Sequence, residues 1–384
     1  MDTFAIPAVL MRGGTSKGLF LHEADLPEPG AARDDLLLRL MGSPDPYGRQ
    51  LNGLGGGISS LSKVIILRQA PDGDPDADVE FLHGQVAVDR AVVDWSANCG
   101  NLSVAVGPFA LDEGLVTAPT EDGTATLRLR NLNSGTLIQA RVPVRDGRYV
   151  PSGDFALPGV AGHGARVALD YLRPGVPGTS ALFPTGMAVE KITLPDGRSV
   201  SVTLAFATLP MVWVRAEDVG IDATAAPESI EANTEAMAWL EMLRREGAVR
   251  MGFAATIEDA RLAAPKIGVL ASSRDAVALD GRTIEAAQAD ILARVVSMGR
   301  MHKAIPLTGA MCLAAPAQVS GSVPYGCLSA PVQEGAGLRV STPSGVVTVD
   351  ALLGPSAAPE VLRVTTYSTA RRLMAGHAYP GPAA

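Results

Sequence analysis

The stretch that most constrains this chain is residues 102–111, which carry no charge; the first charged residue after it is Asp112. A helix that is apolar on every side has no face to offer water and must be enclosed by the rest of the fold. The turn before it, Asn98-Cys99-Gly100-Asn101, is polar. The first turn of a helix leaves backbone N–H groups without partners, which suits an anion and stabilises a thiolate. A lone cysteine is equally at home as a small buried hydrophobe. The residues alone leave both readings of Cys99 open.

The second half repeats this arrangement. Residues 299–309 form a polar, glycine-terminated turn containing His302, Lys303, Thr308 and Gly309, and the apolar run 310–319 follows. Two enclosed helices, each entered from a polar turn, point to two similar halves with a ligand cleft between them. The length, 384 residues, exceeds what one core usually serves. The loop-rich stretch 151–184 marks the boundary, giving an N-terminal half 1–184 and a C-terminal half 185–384, with the last strand free to return to the first half. Aromatic residues make up only 4%, against 41 glycines and 28 prolines. That balance suits short strands of small aliphatic residues joined by tight turns.

Within this frame, strands are expected at 6–11 and 19–21, joined by the tight polar connection Arg12-Gly13-Gly14-Thr15-Ser16-Lys17-Gly18. A helix is expected over 31–41, stopped by Gly42, Pro44 and Pro46. Alternation predicts strands at 79–83 and 85–89, and a hairpin of 124–131 with 137–144 around Asn133-Ser134-Gly135. Further strands are expected at 200–206, 211–214, 266–270, 338–342, 346–349 and 360–365. Helices are expected over 228–247, with Met237, Leu240 and Leu243 inward, and over 283–298. Gly55, Gly56 and Gly57 would let backbone N–H groups approach a ligand. They match neither a P-loop nor a dinucleotide fingerprint. Lys63 follows at the edge of the apolar strand 64–67. Lysine is rarely inside a protein unless paired or catalytic, and a desolvated lysine can act as a base.

Net charge is −8 with no contiguous basic stretch, so no nucleic-acid partner is expected. Three cysteines and five scattered histidines show no zinc spacing, and no metal or organic cofactor is expected. No apolar run reaches membrane-spanning length and no secretory signal opens the chain, so a cytoplasmic protein without membrane contact is expected. A homodimer is the base-rate expectation. The hydrolase elbow GxSxG is absent.

Several of these segments resemble one family. Met11-Arg12-Gly13-Gly14-Thr15-Ser16-Lys17-Gly18, Gly42-Ser43-Pro44-Asp45-Pro46, Ser59-Ser60-Leu61-Ser62-Lys63-Val64, Asn98-Cys99-Gly100-Asn101 and Gly107-Pro108-Phe109 are similar to motifs of the PrpF family. So are Phe183-Pro184-Thr185-Gly186, Pro265-Lys266-Ile267, His302 with Thr308-Gly309, and Pro343-Ser344-Gly345. The family includes 2-methylaconitate, methylitaconate and aconitate isomerases and 4-oxalomesaconate tautomerases or Δ-isomerases. The resemblance implies the fold class, an α+β, diaminopimelate-epimerase-like fold, with a curved, mostly antiparallel sheet around a central helix in each half and the active site in the cleft between them. It implies Lys63 and Cys99 as the proton-handling pair. The second cysteine of two-cysteine epimerases is missing, since the matching turn reads Ile305-Pro306-Leu307-Thr308-Gly309. Cys312 lies deeper in the helix as a packing residue. The implied substrate is an unsaturated di- or tricarboxylate. Thr15, Ser16, Lys17, Ser59, Ser60, Asn98, Gly100, Asn101, His302, Lys303, Thr308 and Gly309 are the candidates to bind it. A racemase or epimerase of an amino or hydroxy acid, and a non-catalytic carboxylate-binding protein, are the rival readings on the same fold.

Overall fold

The structure is a computed structural model that describes residues 5–96, 99–117, 123–193, 196–262, 264–332, 336–356 and 358–382. Its contacts divide the chain into two units, Met1–Asp170 with Tyr367–Ala384, and Tyr171–Thr366. The fold is α+β, strand-rich with few helices.

In the first unit the strands Ile6–Gly13 and Ser16–His22 form an antiparallel hairpin. Lys63–Gln69 lies parallel to the second of them, and Val79–Val86 runs antiparallel to Lys63–Gln69. The hairpin Gly123–Asn131 and Leu137–Arg145 extends the sheet on that side. On the other edge Ala370–Ala378 returns to pair with Ile6–Gly13. Helix α1 (Ala31–Met41) covers one face, and its Leu36, Leu37 and Leu40 pack with Leu19, Leu21, Val64 and Ile66. Gly42 ends it in the left-handed conformation, φ 75°. Helix α2 (Gly100–Asp112) fills the other face and touches strands all across the sheet. Leu102, Val104, Ala105, Val106, Phe109 and Ala110 are fully buried. The charge-free run is thus the axis around which the first unit's sheet curves.

The second unit uses the same order of elements. The antiparallel hairpin Ser199–Ala207 and Leu209–Arg215 comes first, then α3 (Pro227–Ala232) and α4 (Thr234–Arg250). Lys266–Ser272 lies parallel to Leu209–Arg215, and Ile291–Ser297 runs antiparallel to Lys266–Ser272. Leu338–Thr342, Gly345–Leu353 and Val361–Ser368 complete the sheet. Helix α4 lies on one face over Leu204, Val212, Ile267, Val269 and Leu292. Helix α5 (Leu307–Ala314) is the inner apolar helix, with Ala310, Met311, Cys312 and Leu313 fully buried.

Three local expectations change. Residues 283–298 are not a helix: they form a short strand, a single 3-10 turn at Ala286–Gln288, and the strand Ile291–Ser297. That strand is covered on both faces, so it reads as a continuous apolar run that periodicity cannot tell from a buried helix. Its Val295 and Val296 favour the sheet. Residues 79–89 are one strand to Val86 rather than two. The helix over 228–247 is broken at Asn233, whose side chain accepts the Ala236 N–H at 3.1 Å and caps α4.

Candidate active site

The alternation of strand Lys63–Gln69 decides which way Lys63 points. Val64 and Ile66 face α1; successive strand residues face opposite sides, so Lys63 faces α2. Its Nζ donates to Gln85 Oε1 on the neighbouring strand, where Lys63 and Gln85 are paired partners. Gln85 is itself held, because its Nε2 donates to the carbonyls of Ser62 at 2.8 Å and Ser59 at 3.1 Å. The amine is therefore fixed by an amide whose own orientation is set by the backbone of the preceding turn.

Cys99 is the N-cap of α2, buried at 8% exposure, and its carbonyl accepts the Ser103 N–H at 3.1 Å and the Ser103 hydroxyl at 3.0 Å. Asn98 lies outside the described residues. The hairpin tip is seated on this helix start. A Cβ on Gly13 would stand 2.6 Å from the Asn101 carbonyl oxygen and 3.0 Å from Leu102 Cα. Gly14, at φ 53°, abuts the Asn101 side-chain amide, and the Thr15 N–H donates to its Oδ1 at 3.4 Å. Gly18 is wedged between Leu102 and the Lys63 carbonyl, with a Cβ reaching 2.6 Å and 3.0 Å respectively. The glycines of the Met11–Gly18 segment are thus the reason the Lys63 strand and the Cys99 end of α2 come together. The Gly14 N–H donates to the Thr369 carbonyl at 3.1 Å, and Arg12 Nη1 reaches the same oxygen at 2.7 Å, fixing the tip from behind.

Of the other first-unit candidates, Ser16 is buried, Lys17 and Ser60 are half-buried, and Thr15 and Ser59 are exposed. Gly100 and Asn101 occupy the first turn of α2, both half-buried. The glycines at 55–57 make close contacts within the chain itself. Gly55 packs on the Gln50 amide and the Gly57 N–H donates to Gln50 Oε1 at 2.9 Å. Buried Gln50 also donates to Ser43 Oγ at 2.8 Å and Ser62 Oγ at 2.7 Å. The loop wraps an internal amide that braces the residue before Lys63.

In the second unit His302 is half-buried and its Nδ1 accepts the Ala304 N–H at 3.1 Å. Burial, with a smaller push from Lys266, holds the imidazolium pKa below its ordinary value. Thr308 and Gly309 lie in the first turn of α5, and the Thr208 hydroxyl donates to the Thr308 carbonyl at 3.0 Å. Lys303 has a side chain 76% exposed and pairs with Glu228 at 3.4 Å, a solvated surface contact. Cys312 is fully buried, and burial pushes its thiol up to about 12. Among the described residues, no cluster of three or more His, Cys, Asp or Glu side chains could hold a metal ion, and no helix is long and apolar enough to cross a membrane. Sequence reasoning missed Gln85 and Gln50, because which amide meets Lys63 depends on strand register set by non-local pairing.

Known proteins resemble this chain along nearly its whole length. Residues 3–380 match the family described as PrpF protein. A 2-methyl-aconitate isomerase of Cupriavidus necator is 40% identical over 90% of this chain and 89% of its own length. A 4-oxalomesaconate tautomerase of Pseudomonas putida is 36% identical over 91% and 90%. The crystal structure of a methylitaconate-delta-isomerase superposes with a TM-score of 0.89 at 34% identity, covering 99% of this chain and 96% of that one. A probable proline racemase of Agrobacterium radiobacter K84 shares the fold at 16% identity, TM-score 0.51, covering 97% and 92%. With the family matched from end to end and relatives this similar, the chain belongs to the PrpF family.

Proposed function

We propose that this chain is a cofactor-independent isomerase that moves or isomerises the double bond of an unsaturated di- or tricarboxylate of the aconitate, 2-methylaconitate, methylitaconate or 4-oxalomesaconate type. The observation that carries this reading is the Gly18 wedge, which brings the strand opened by Lys63 against Leu102 in the first turn of α2, three residues after the Cys99 cap. Lys63 removes a proton from the allylic carbon. The charge left behind spreads through the double bond into the adjoining carboxylate or ketone as a dienolate. Cys99 holds or returns a proton on the other side, completing the shift. Positioned proton transfer of this kind supplies about 10²–10⁴-fold. Backbone N–H groups of the first turn of α2 at Gly100 and Asn101 suit a substrate carboxylate or the developing oxyanion. Ser16, Thr15, Lys17, Ser59 and Ser60 supply first-unit polar contacts, and His302, Thr308 and Gly309 those of the second unit. Lys303, pairing with Glu228 at the surface, is the weakest member of the proposed set. A single cysteine favours moving a double bond over inverting a centre between two thiols.

The test is a panel of these acids followed by ultraviolet absorbance, because moving a double bond into or out of conjugation changes it. The expected result is turnover of at least one acid by the purified chain without added metal or cofactor. No absorbance change with any member of the panel overturns the reading.

A further inference from the structure

The two units carry the same order of elements, and following that order residue by residue leads to a second lysine. In the first unit, Lys63 is the first residue of the strand that lies parallel to the second strand of the hairpin. In the second unit, the first residue of the corresponding strand is Lys266. Ile267 and Val269 pack on the α4 side of the sheet, so alternation turns Lys266 to the α5 side, just as Lys63 turns to α2. The partner strand repeats the pattern too. Lys63 reaches Gln85 on the antiparallel neighbour, and Lys266 donates to Ser297 Oγ at 2.9 Å on its own antiparallel neighbour, one step beyond the Ile267–Val296 pair. The hairpin tips agree as well: Thr15 N–H meets the Asn101 amide at the start of α2, and the Thr208 hydroxyl meets the Thr308 carbonyl at the start of α5.

Lys266 is half-buried, and burial together with the positive Arg244 guanidinium pushes its ammonium below the ordinary lysine value. The His302 backbone N–H donates to the Val295 carbonyl at 2.8 Å, which seats His302 beside the strand that carries Ser297 two residues on; its Nδ1 is occupied by the Ala304 N–H, so its Nε2 is the nitrogen that carries the proton in the neutral ring. An amine, a hydroxyl and an imidazole N–H, all donors and brought together at partial burial, make a receptor for an anion. A carboxylate arriving there offsets both the desolvation of the amine and its repulsion by Arg244.

We propose that Lys266 is a carboxylate-binding residue, the second unit's counterpart of Lys63, and that with Ser297 and His302 it holds a carboxylate of a polycarboxylic acid. This rests on the polycarboxylate reading above but not on the proton-transfer roles given to Lys63 and Cys99.

The probe is tricarballylate, a saturated tricarboxylate with no double bond to move, titrated calorimetrically into the purified chain. Replacing one charge-assisted contact is expected to weaken binding about 10–100-fold in Lys266→Ala. Lys266→Gln, which keeps a donor for Ser297, is expected to lose affinity nearly as much, and Lys266→Arg to recover part of it. Circular dichroism and the melting temperature establish that each variant is folded; if Lys266→Ala is not, Lys266→Gln carries the comparison. A merely structural lysine would lower the melting temperature and leave the affinity of the folded variant unchanged, and that result overturns the proposal. Failure of tricarballylate to bind the unaltered chain overturns it too. Lys266-dependent binding by a chain that isomerises no acid keeps this inference and removes the isomerase reading. Turnover lost in Lys63→Ala but with unchanged KM and kcat in Lys266→Ala does the reverse.

Discussion

Gly13→Ala adds a single methyl group where the first-unit hairpin rests on α2. That methyl would stand 2.6 Å from the Asn101 carbonyl oxygen and 3.0 Å from Leu102 Cα. Both are backbone atoms, so no side chain can rotate out of the way, and Ala105 Cβ closes the third side at 3.2 Å. Restoring ordinary contact requires the helix start and the hairpin to separate by roughly 0.5–1 Å. Overpacking of this kind costs about 1–3 kcal/mol. In a unit of this size each kcal/mol lowers Tm by about 2–4 °C, so a drop of roughly 2–12 °C is expected. The displaced segment begins two residues after Cys99, and a misplacement near 1 Å can cost a positioned catalytic pair about 100-fold. The assay is differential scanning calorimetry together with initial rates on whichever acid the panel identifies. A variant whose Tm and rate both equal those of the unaltered chain refutes the claim that the glycine is there for this close approach.

Other consequences follow from the same geometry. Gln50→Leu removes the amide that ties Ser43, Ser62 and Gly57 together; a loss of about 2–4 kcal/mol is expected in urea denaturation, since buried Ser43 and Ser62 and half-buried Gly57 lose their bonds. Iodoacetamide at about pH 8 should leave Cys312 unmodified in the native chain, because the thiol is buried and its pKa lies at about 12; mass spectrometry after unfolding in guanidinium chloride should show it alkylated, and native-state labelling of Cys312 contradicts the packing. His302 has a lowered pKa when folded, so the unfolded chain takes up its proton first as pH falls. Stability should therefore decline progressively below about pH 6.5, and His302→Asn should flatten that decline; an identical pH profile in the variant contradicts the assignment.

The parts legible in the sequence were those governed by local rules. The run 102–111 announced an enclosed helix because it lacks charge, and α1 announced its end through Gly42 in the left-handed conformation. The hairpin around Asn133-Ser134-Gly135 was readable from turn chemistry. What failed was governed by neighbours distant in sequence. Ile291–Ser297 reads as helix or strand until its two flanking strands are known. The return strand Ala370–Ala378 is mostly exposed, interrupted by Arg371 and Arg372, and is held by pairing to Ile6–Gly13, so it gives no alternation of its own. Glycine signals close approach without naming what approaches: Gly55 meets the Gln50 amide and Gly56 the Leu61 side chain, while the Gly57 N–H donates to Gln50 Oε1. Lys63 was visible as a lysine against an apolar strand. Gln85, which holds its amine, and Lys266, its counterpart in the repeat, became visible only with the register of the sheets.

The central claim is that Lys63 moves the proton. With an acid that the chain isomerises, incubation in D₂O followed by proton NMR reads deuterium arriving at the allylic carbon. The account predicts incorporation by the unaltered chain and none above the uncatalysed background with folded Lys63→Ala. Undiminished incorporation in Lys63→Ala would contradict it.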